Sequence, residues 1–163
     1  MDQPIAFELQ IAMLLPRLRR FAHGLCRDSA DADDLTQSSV ERALRAKRQF
    51  KTGTRLDSWL YKIMRNQWID TLRSRRRREK FEAPPEAAEN VGEDPSGSIE
   101  ATIELKQMMA AMQRLPDDQR EVVALILIEG FGYRETAEIL EVPMGTVSSR
   151  LARGRSALLD MVG

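Results

Sequence analysis

Residues 133–159 read YRETAEILEVPMGTVSSRLARGRSALL, and this stretch decides the fold. Apolar residues recur at spacings of three and four on both sides of the break EVPMG, residues 141–145. That spacing gives each of two helices one buried face, so the pattern predicts a helix, a tight turn and a second helix. Small Ala137 would allow the helices to cross closely, and Thr146 is a candidate N-cap for the second helix. The predicted shared core is Ile139, Leu140, Val142, Val147 and Leu151.

Short polar and basic side chains on the second predicted helix point away from that core. They are Ser148, Ser149, Ala152, Arg153 and Arg155, with Arg150 placed to reach a DNA backbone. Such side chains suit the base edges and phosphates of a major groove, so we expect this helix to read DNA. The alternative is a helical hairpin with a solvated basic face, which the tight turn and the nearby arginines disfavour. Glu141 stands in the turn where glycine is frequent, which predicts a small conformational cost.

The composition is typical of a helix-rich soluble protein. Of the 163 residues, 42% are hydrophobic and 31% are charged, and only 6% are aromatic, which favours helices over strands. The longest apolar run, residues 122–128, is far shorter than the roughly 18–20 residues that span a bilayer. The N-terminus also lacks the pattern of a signal peptide. We therefore expect a cytoplasmic protein without membrane insertion.

Few side chains are available for catalysis or metal binding. The single cysteine, Cys26, excludes an intrachain disulfide, and together with the single histidine, His23, it leaves too few ligands for a closed zinc site. We expect Cys26 to be a buried apolar side chain. The sequence has neither a nucleophile with its base nor a glycine-rich phosphate loop. It therefore predicts a protein that is not an enzyme and that uses no metal or cofactor.

Charge is strongly segregated along the chain, although the formal net charge is zero. Residues 42–80 carry fourteen Lys or Arg against three acids, a net of +11, whereas residues 81–105 carry seven acids and no base. A basic block followed by an acidic one indicates a surface that binds a polyanion beside a segment that repels or imitates one.

Three helical patterns fill the first half of the chain. The first covers residues 5–15 and resumes at Pro16, because proline is tolerated in the first turn of a helix. The second begins near Ser29, a good N-cap, and carries acids at its start and bases at its end, as the helix dipole favours. The third is expected to be capped by Asp57 or Ser58. Its predicted core stripe is Leu56, Leu60, Ile63, Met64 and Leu72.

The segment from residue 81 to residue 98 separates two helical parts. It holds three prolines, two glycines and five acids. Such a segment buries too little apolar surface to offset the conformational entropy lost on ordering, so the composition predicts a flexible linker. The expected fold is all-α, with two small helical domains, residues 1–80 and residues 99–163, joined by the acidic linker 81–98.

The second predicted domain resembles region four of the extracytoplasmic-function sigma factors, a branch of the sigma-70 family. The resemblance is carried by LPDDQRE at 115–121, by residues 133–140 and by GTVSSRLARGR at 145–155. The stretches at 21–26 and 130–133 resemble the general-stress-response branch of that family. The resemblance implies that residues 99–163 form sigma region four, which binds the minus-thirty-five element.

The first predicted domain resembles region two of the same family. DDLTQ at 33–37 is similar to region 2.2, and residues 50–73, including DSWLYKI at 57–63 and Asn66, are similar to regions 2.3 and 2.4. The matches cover nearly the whole chain in the expected order. The resemblance therefore implies a bacterial promoter-specificity subunit of RNA polymerase, which carries out no reaction of its own.

The resemblance also implies partners and a docking surface. The partners would be core RNA polymerase, promoter DNA and an anti-sigma factor that covers both regions. The surface for core polymerase would consist of Asp33, Asp34, Leu35 and Gln37. Acids in a first turn also favour the helix dipole with no partner, but that alternative leaves Gln37 unexplained.

Two DNA sites follow from the same resemblance. The minus-ten site would consist of Lys51, Thr52, Thr54, Arg55, Trp59, Lys62, Arg65, Asn66 and Arg73. Its loop would hold a base flipped out of the duplex, since a polar pocket with stacking and cations offsets the cost of unstacking. Trp59 stands where the family places a melting aromatic, and a core aromatic fits its position equally well. One or two members of the arginine run 75–78 would track phosphates, although such a run is usually a solvated helix end.

The minus-thirty-five site would consist of Thr146, Ser148, Ser149, Arg150, Ala152, Arg153 and Arg155. Many family members carry a basic residue at the position of Ser148 and a larger one at that of Ala152. The base preference of the family therefore does not carry over to this chain.

Two other functions compete with promoter recognition. A sigma-like decoy would sequester an anti-sigma factor without initiating transcription, and it would not need the DNA surfaces that this sequence retains. An enzyme acting on DNA, such as a recombinase, would need a nucleophile or an acidic metal cluster, and the sequence offers neither.

Overall fold

A computed structural model of the protein describes residues 5–81 and 99–163. Every regular element in those two ranges is helical, which confirms the predicted all-α class. The α-helices are α1 (Phe7–Leu25), α2 (Ser29–Arg45), α3 (Leu56–Glu79), α4 (Ile99–Arg114), α5 (Asp117–Val123), α6 (Tyr133–Leu140) and α7 (Met144–Val162). A 3-10 turn, Lys47–Gln49, follows α2, and a π-helical turn, Ala124–Ile128, continues α5. Apart from Phe81, the predicted linker 81–98 lies outside the described residues.

Helix α1 is continuous, so the predicted interruption at Pro16 is wrong. Proline lacks the N–H that would bond to the carbonyl of Ala12, one turn earlier. Both residues lie on the exposed side of α1, where water can hydrate that carbonyl. The buried stripe of the helix runs past the proline on the opposite side, and its packing keeps the helix intact.

Helices α2 and α3 differ from the prediction in their caps. The side chain of Asp28 caps α2, with Oδ1 accepting a hydrogen bond from the Ala30 N–H at 2.8 Å. Neither Asp57 nor Ser58 caps α3, which begins earlier and follows Arg55. Asp57 instead accepts from the adjacent Ser58 N–H at 2.8 Å and from the Arg55 guanidinium. Arg55 therefore binds the carboxylate of Asp57, which the sequence predicted as the cap of α3.

Thr146 does not cap α7, because the helix begins at Met144 and Pro143 occupies the cap position. Proline at a helix entry needs no N–H partner, so the chain enters α7 earlier than the threonine predicts. Thr146 lies in the first turn and is half-buried.

The buried stripe of α3 is centred differently from the predicted one. Leu56, Leu60 and Met64 are buried as predicted, whereas Ile63 and Leu72 are only half-buried. Two aromatic side chains that the prediction omitted, Tyr61 and Trp68, complete the stripe. The stripe is wide because α3 packs against α2 in the N-terminal half and against α6 in the C-terminal half.

The N-terminal half (residues 5–81) and the C-terminal half (residues 99–163) share one hydrophobic core. The rings of Tyr61 and Phe131 meet edge to face across the boundary, with 5.0 Å between centroids. At the C-terminal end of α1, the Cys26 carbonyl accepts from the Gln113 side chain at 3.0 Å. The buried Arg120 guanidinium donates to the Leu25 carbonyl at 3.4 Å. The two halves are therefore joined by both apolar and polar contacts.

Helices α5 and α7 approach closely at Gly154. A Cβ atom at this position would lie 2.8 Å from Cγ2 of Val123 and 3.5 Å from Cβ of Gln119. We expect Gly154→Ala to lower the free energy of unfolding by about 1–3 kcal/mol, because the buried, β-branched Val123 has no room to move. Urea unfolding followed by circular dichroism measures the change. The control is Gly145→Ala on the same helix, where a Cβ would meet nothing within 4 Å; equal stability of both variants would contradict the close approach.

Candidate nucleic-acid interface

The predicted helix, turn and helix are formed by α6 and α7. Glu141 makes the turn in the left-handed region, with φ 57° and ψ 46°, a conformation that strains a residue with a side chain. The Val142 N–H then bonds to the Ala137 carbonyl at 3.1 Å. Of the predicted core, Ile139, Leu140, Val147 and Leu151 are buried and Val142 is half-buried.

The predicted DNA-reading side chains of α7 form one exposed face. Ser148, Ser149, Ala152, Arg153 and Arg155 are all exposed. The guanidinium of Arg153 donates to the hydroxyl of Ser149 at 3.2 Å and to its carbonyl at 3.3 Å, contacts made within α7 itself. Arg150 differs from this set, since it is half-buried and pairs with Asp118 at 3.5 Å.

The predicted minus-ten loop is a turn of exposed side chains. Gly53 adopts φ 92°, and the Thr54 N–H and hydroxyl both donate to the Lys51 carbonyl, at 3.2 Å and 2.7 Å. Lys51, Thr52, Thr54 and Arg55 are exposed at this turn, and Asn66 on α3 is half-buried. The polar side chains of the turn are therefore accessible to solvent, and no other part of the turn covers them.

Trp59 is half-buried in an aromatic cluster. Its ring lies 5.3 Å from that of Phe50 and 6.1 Å from that of Phe7. The cluster fixes one side of the indole, which leaves part of the ring accessible. The indole therefore packs against the cluster on one side and is only partly buried.

Three cations of the predicted minus-ten set are paired with acids of the C-terminal half. Arg65 Nε lies 3.0 Å from Glu121 Oε2, and Lys62 Nζ lies 2.8 Å from Glu141 Oε1. Arg55 pairs with Asp57 at 2.8 Å and also with Glu135 of α6. The other two cations of the set, Lys51 and Arg73, are exposed and form no ion pair among the described residues. Sequence reasoning missed these pairs because they join residues far apart in the chain.

A second missed feature is the buried carboxylate of Glu129. It accepts from Arg20 Nε and Nη2 at 2.9 and 2.7 Å and from the Tyr61 hydroxyl at 2.7 Å. Burial, together with the hydrogen bond to Glu129, raises the pKa of Tyr61 well above its usual range. Burial likewise raises the pKa of Glu121, although the hydrogen bonds from Arg65 oppose the change. Both glutamates therefore depend on partners from the N-terminal half.

The predicted polymerase-docking residues lie on α2. Asp33, Asp34 and Gln37 are exposed, whereas Leu35 is only 6% exposed and lies mostly beneath that surface. Asp34, Leu35 and Gln37 also border a groove of about 720 Å³ between α2 and the C-terminal part of α3, whose lining includes Trp68. The groove combines carboxylates and guanidinium groups with apolar side chains.

Cys26 is half-buried rather than fully buried. Burial, with a further contribution from Asp31, raises the pKa of its thiol to about 12. The thiol is therefore protonated at neutral pH and is a weak nucleophile. Within the described ranges, no three His, Cys, Asp or Glu side chains gather in a way that would hold a metal ion.

Comparison with known proteins gives two family matches in the order that the sequence predicts. Residues 11–78 match the model of Sigma-70 region 2, and residues 105–158 match that of Sigma-70 region 4. The extracytoplasmic-function (ECF) RNA polymerase sigma factor EcfG of Rhodopseudomonas palustris is 37% identical over 148 residues, 91% of this chain and 80% of that protein. The ECF RNA polymerase sigma factor SigE of Mycolicibacterium smegmatis is 39% identical over 147 residues, 88% of this chain and 56% of that longer relative.

Solved structures include a close match of the whole arrangement. The sigma factor RpoE of Bartonella quintana, solved in complex with the anti-sigma factor NepR, superposes with a TM-score of 0.85 at 30% identity, over 96% of each chain. The structure of CnrH in complex with the cytosolic domain of CnrY matches with a TM-score of 0.70 at 24% identity, over 96% of this chain and 88% of that one, and it shows the fold alone.

The fold and the exposed face of α7 define a helix-turn-helix transcription protein built from sigma-70 regions two and four. The chain belongs to the ECF family of RNA polymerase sigma factors, and it directs transcription initiation at promoters. None of the helices in the described part of the chain is long and apolar enough to cross a membrane.

Proposed function

We propose that this sigma factor reads the minus-thirty-five element with the exposed face of α7, and the accessibility of that face carries the proposal. Ser148, Ser149, Ala152 and Arg153 would meet base edges, and Arg155 would meet the phosphate backbone. Thr146 and Arg150 are half-buried and would act at the margin, with Arg150 leaving Asp118 to reach a phosphate.

The minus-ten element would be read by the N-terminal half. The loop from Lys51 to Arg55, with Asn66, would hold a base flipped from the non-template strand, and Trp59 would stack at the edge of the melted segment. Lys62, Arg65 and Arg73 would follow the backbone. Support comes from the open turn at Gly53 and from the partly accessible Trp59 ring.

Core RNA polymerase would dock on α2 through the exposed Asp33, Asp34 and Gln37, with Leu35 supporting them from beneath. The polymerase would supply the chemistry, so the sigma factor would carry out no reaction and act in the bacterial cytoplasm. The proposed domains are residues 1–80 and residues 99–163, with residues 81–98 as the linker.

An anti-sigma factor is the third proposed partner, acting within a stress response. The sigma factor from Bartonella quintana that superposes over 96% of this chain was solved with an anti-sigma factor bound. The resemblance at residues 21–26 and 130–133 to the general-stress branch points the same way. Relatives named as sigma factors favour this function over the decoy alternative.

Transcription in vitro tests the proposed function. Purified protein, bacterial core polymerase and a promoter library should give transcripts that start at a defined set of promoters and that core polymerase alone does not give. A folded protein that binds core polymerase and yields no such transcripts would contradict the function.

Two substitutions should separate the DNA sites. Arg153→Ala is expected to weaken binding to duplex minus-thirty-five DNA by about 1–3 kcal/mol, because it removes an exposed base-reading guanidinium. Asn66→Ala should leave that binding unchanged and slow promoter opening by about tenfold, since it removes a group of the flipped-base pocket. Fluorescence anisotropy measures the first effect and permanganate footprinting of open complexes the second. Each variant is the control for the other, and wild-type behaviour of both would refute the assignment.

A further inference from the structure

Asp57, in the first turn of α3, binds the guanidinium of Arg55, the last residue of the proposed minus-ten loop. Asp57 Oδ1 accepts from Arg55 Nε at 3.1 Å, and Oδ2 accepts from Arg55 Nη2 at 2.8 Å. Two parallel hydrogen bonds of this kind fix both the position and the plane of a guanidinium. Both residues belong to the N-terminal half, so the pair forms without any group of the C-terminal half.

The Asp57 carboxylate is itself held in place. Its side chain is 13% exposed, whereas that of Arg55 is 54% exposed. Oδ1 also accepts from the Ser58 N–H at 2.8 Å, and Arg17 Nη2 of α1 lies 3.6 Å from Oδ2. Burial disfavours the charged form, but the hydrogen bonds from Arg55 and from the Ser58 N–H keep the pKa of Asp57 below its usual range. A fixed and charged carboxylate therefore restrains a more exposed arginine.

The surroundings of Asp57 argue against a direct contact with DNA. A carboxylate repels the phosphates of a DNA backbone unless cations lie between them. Both oxygens of Asp57 already accept hydrogen bonds, and the two guanidiniums of Arg17 and Arg55 exceed its charge. The three side chains together therefore remain cationic. Asp57 is compatible with a nearby phosphate only through its arginine partners.

Part of the Arg55 guanidinium remains available for an anion. Two of its five N–H groups bind Asp57, which leaves three on Nη1 and Nη2. In this conformation Nη1 donates to Glu135 of α6, so one end of the guanidinium reaches an anionic oxygen while the other end stays on Asp57. A phosphate oxygen accepts from a guanidinium in the same way as a carboxylate oxygen. Arg55 can therefore bind a phosphate and Asp57 together.

Restraint of Arg55 should favour capture of the minus-ten strand. An arginine side chain loses rotamer freedom when a ligand orders it, and a side chain that is already ordered loses less. Arg55 precedes α3 and its side chain is more than half exposed, so packing alone does not fix the guanidinium. The benefit should appear when the melted strand binds, and not when α7 binds duplex DNA.

We propose that Asp57 is a positioning residue of the minus-ten site, which holds the Arg55 guanidinium where it meets a phosphate of the captured strand. The inference rests on the proposed minus-ten site, to which Arg55 belongs. Asp57 itself contacts no DNA. An acid that only stabilised the start of α3 would act in the same way whatever residue preceded the helix, whereas a positioning acid acts only when Arg55 is present.

The test is the rate of promoter opening by the holoenzyme, followed by permanganate footprinting on a promoter that the transcription assay selects. Asp57→Asn keeps an acceptor for the Ser58 N–H but breaks the paired contact with Arg55, because one carboxylate oxygen becomes an amide nitrogen. It should open the promoter about fivefold more slowly than the wild type. Asp57→Glu keeps a carboxylate within reach of Arg55 and should recover most of the rate.

The control for the lost charge is Asp160→Asn, an exposed position near the end of α7, which should open the promoter at the wild-type rate. Binding of the free chain to duplex minus-thirty-five DNA should be unchanged in all three variants, since the face of α7 is untouched. Circular dichroism shows that each variant is folded. An equal loss of rate in Asp160→Asn, or no recovery with Asp57→Glu, would overturn the positioning role.

A double variant separates positioning from helix stability. Arg55→Ala should slow opening by about tenfold, because it removes a charged hydrogen-bond donor. Adding Asp57→Asn to it should cause no further loss, since no guanidinium is left to hold. Additive losses, or wild-type opening by Asp57→Asn beside slow opening by Arg55→Ala, would overturn the positioning role alone. Wild-type opening by Arg55→Ala would overturn it together with the place of Arg55 in the minus-ten site, while transcripts from the wild type would still support the proposed function.

Discussion

Asp34→Arg is expected to reduce promoter-specific transcription by about a hundredfold or more, because reversing a charge at an interface costs several kcal/mol. Asp34 is exposed on α2 and forms no ion pair among the described residues, so the change leaves the fold intact. Multiple-round transcription with core polymerase measures the loss. Binding of the free chain to duplex minus-thirty-five DNA should not change, since the face of α7 is untouched.

The matched control for this charge reversal is Asp160→Arg. Asp160 is an exposed acid near the end of α7, far from α2 in the chain. A general effect of added positive charge would appear in both variants. Wild-type transcription by Asp34→Arg, or an equal loss with Asp160→Arg, would remove Asp34 from the proposed docking surface.

The exposed face of α7 was predictable because it depends on local periodicity. Val147 and Leu151 are one turn apart and turn inward, so Ser148 and Ala152 must turn outward. The same rule places Asp33 and Asp34 on the outer side of α2, next to the buried Leu35. Helical class and the helix-turn-helix therefore followed from neighbours in sequence.

The burial of Glu129 was not predictable in this way. Glu129 ends an apolar run and looks like the point where the chain returns to solvent. Its burial depends on Arg20 and Tyr61, which are distant in sequence and become neighbours only when the two halves meet.

The predictions of where helices begin were wrong for a related reason. Asp57 has the side chain of a good cap, yet it is held by Arg55, and the cap position falls on the arginine itself. N-cap preference ranks residue types. It does not take into account a neighbouring group, here Arg55, that binds the side chain of the candidate cap. At Pro16, the packing of the whole helix outweighs the single missing hydrogen bond.

Glu129→Ala is expected to lower the free energy of unfolding by about 2–4 kcal/mol, because it leaves buried partners without an acceptor. The Tyr61 hydroxyl accounts for most of the loss, since the tyrosine is fully buried and water cannot replace the carboxylate. The Arg20 side chain is 53% exposed and can be hydrated again, which limits its share. Urea unfolding of the full chain measures the difference.

Glu129→Gln separates hydrogen bonding from charge at the same position. The amide oxygen still accepts from Tyr61, so this variant should lose less stability than Glu129→Ala. Tyr61→Phe removes the hydroxyl itself, and adding it to Glu129→Ala should cost little more, because the buried donor that lacked an acceptor is gone. Additive losses in the double variant would show that the two groups act independently, and the carboxylate would then join the halves through Arg17 and Arg20.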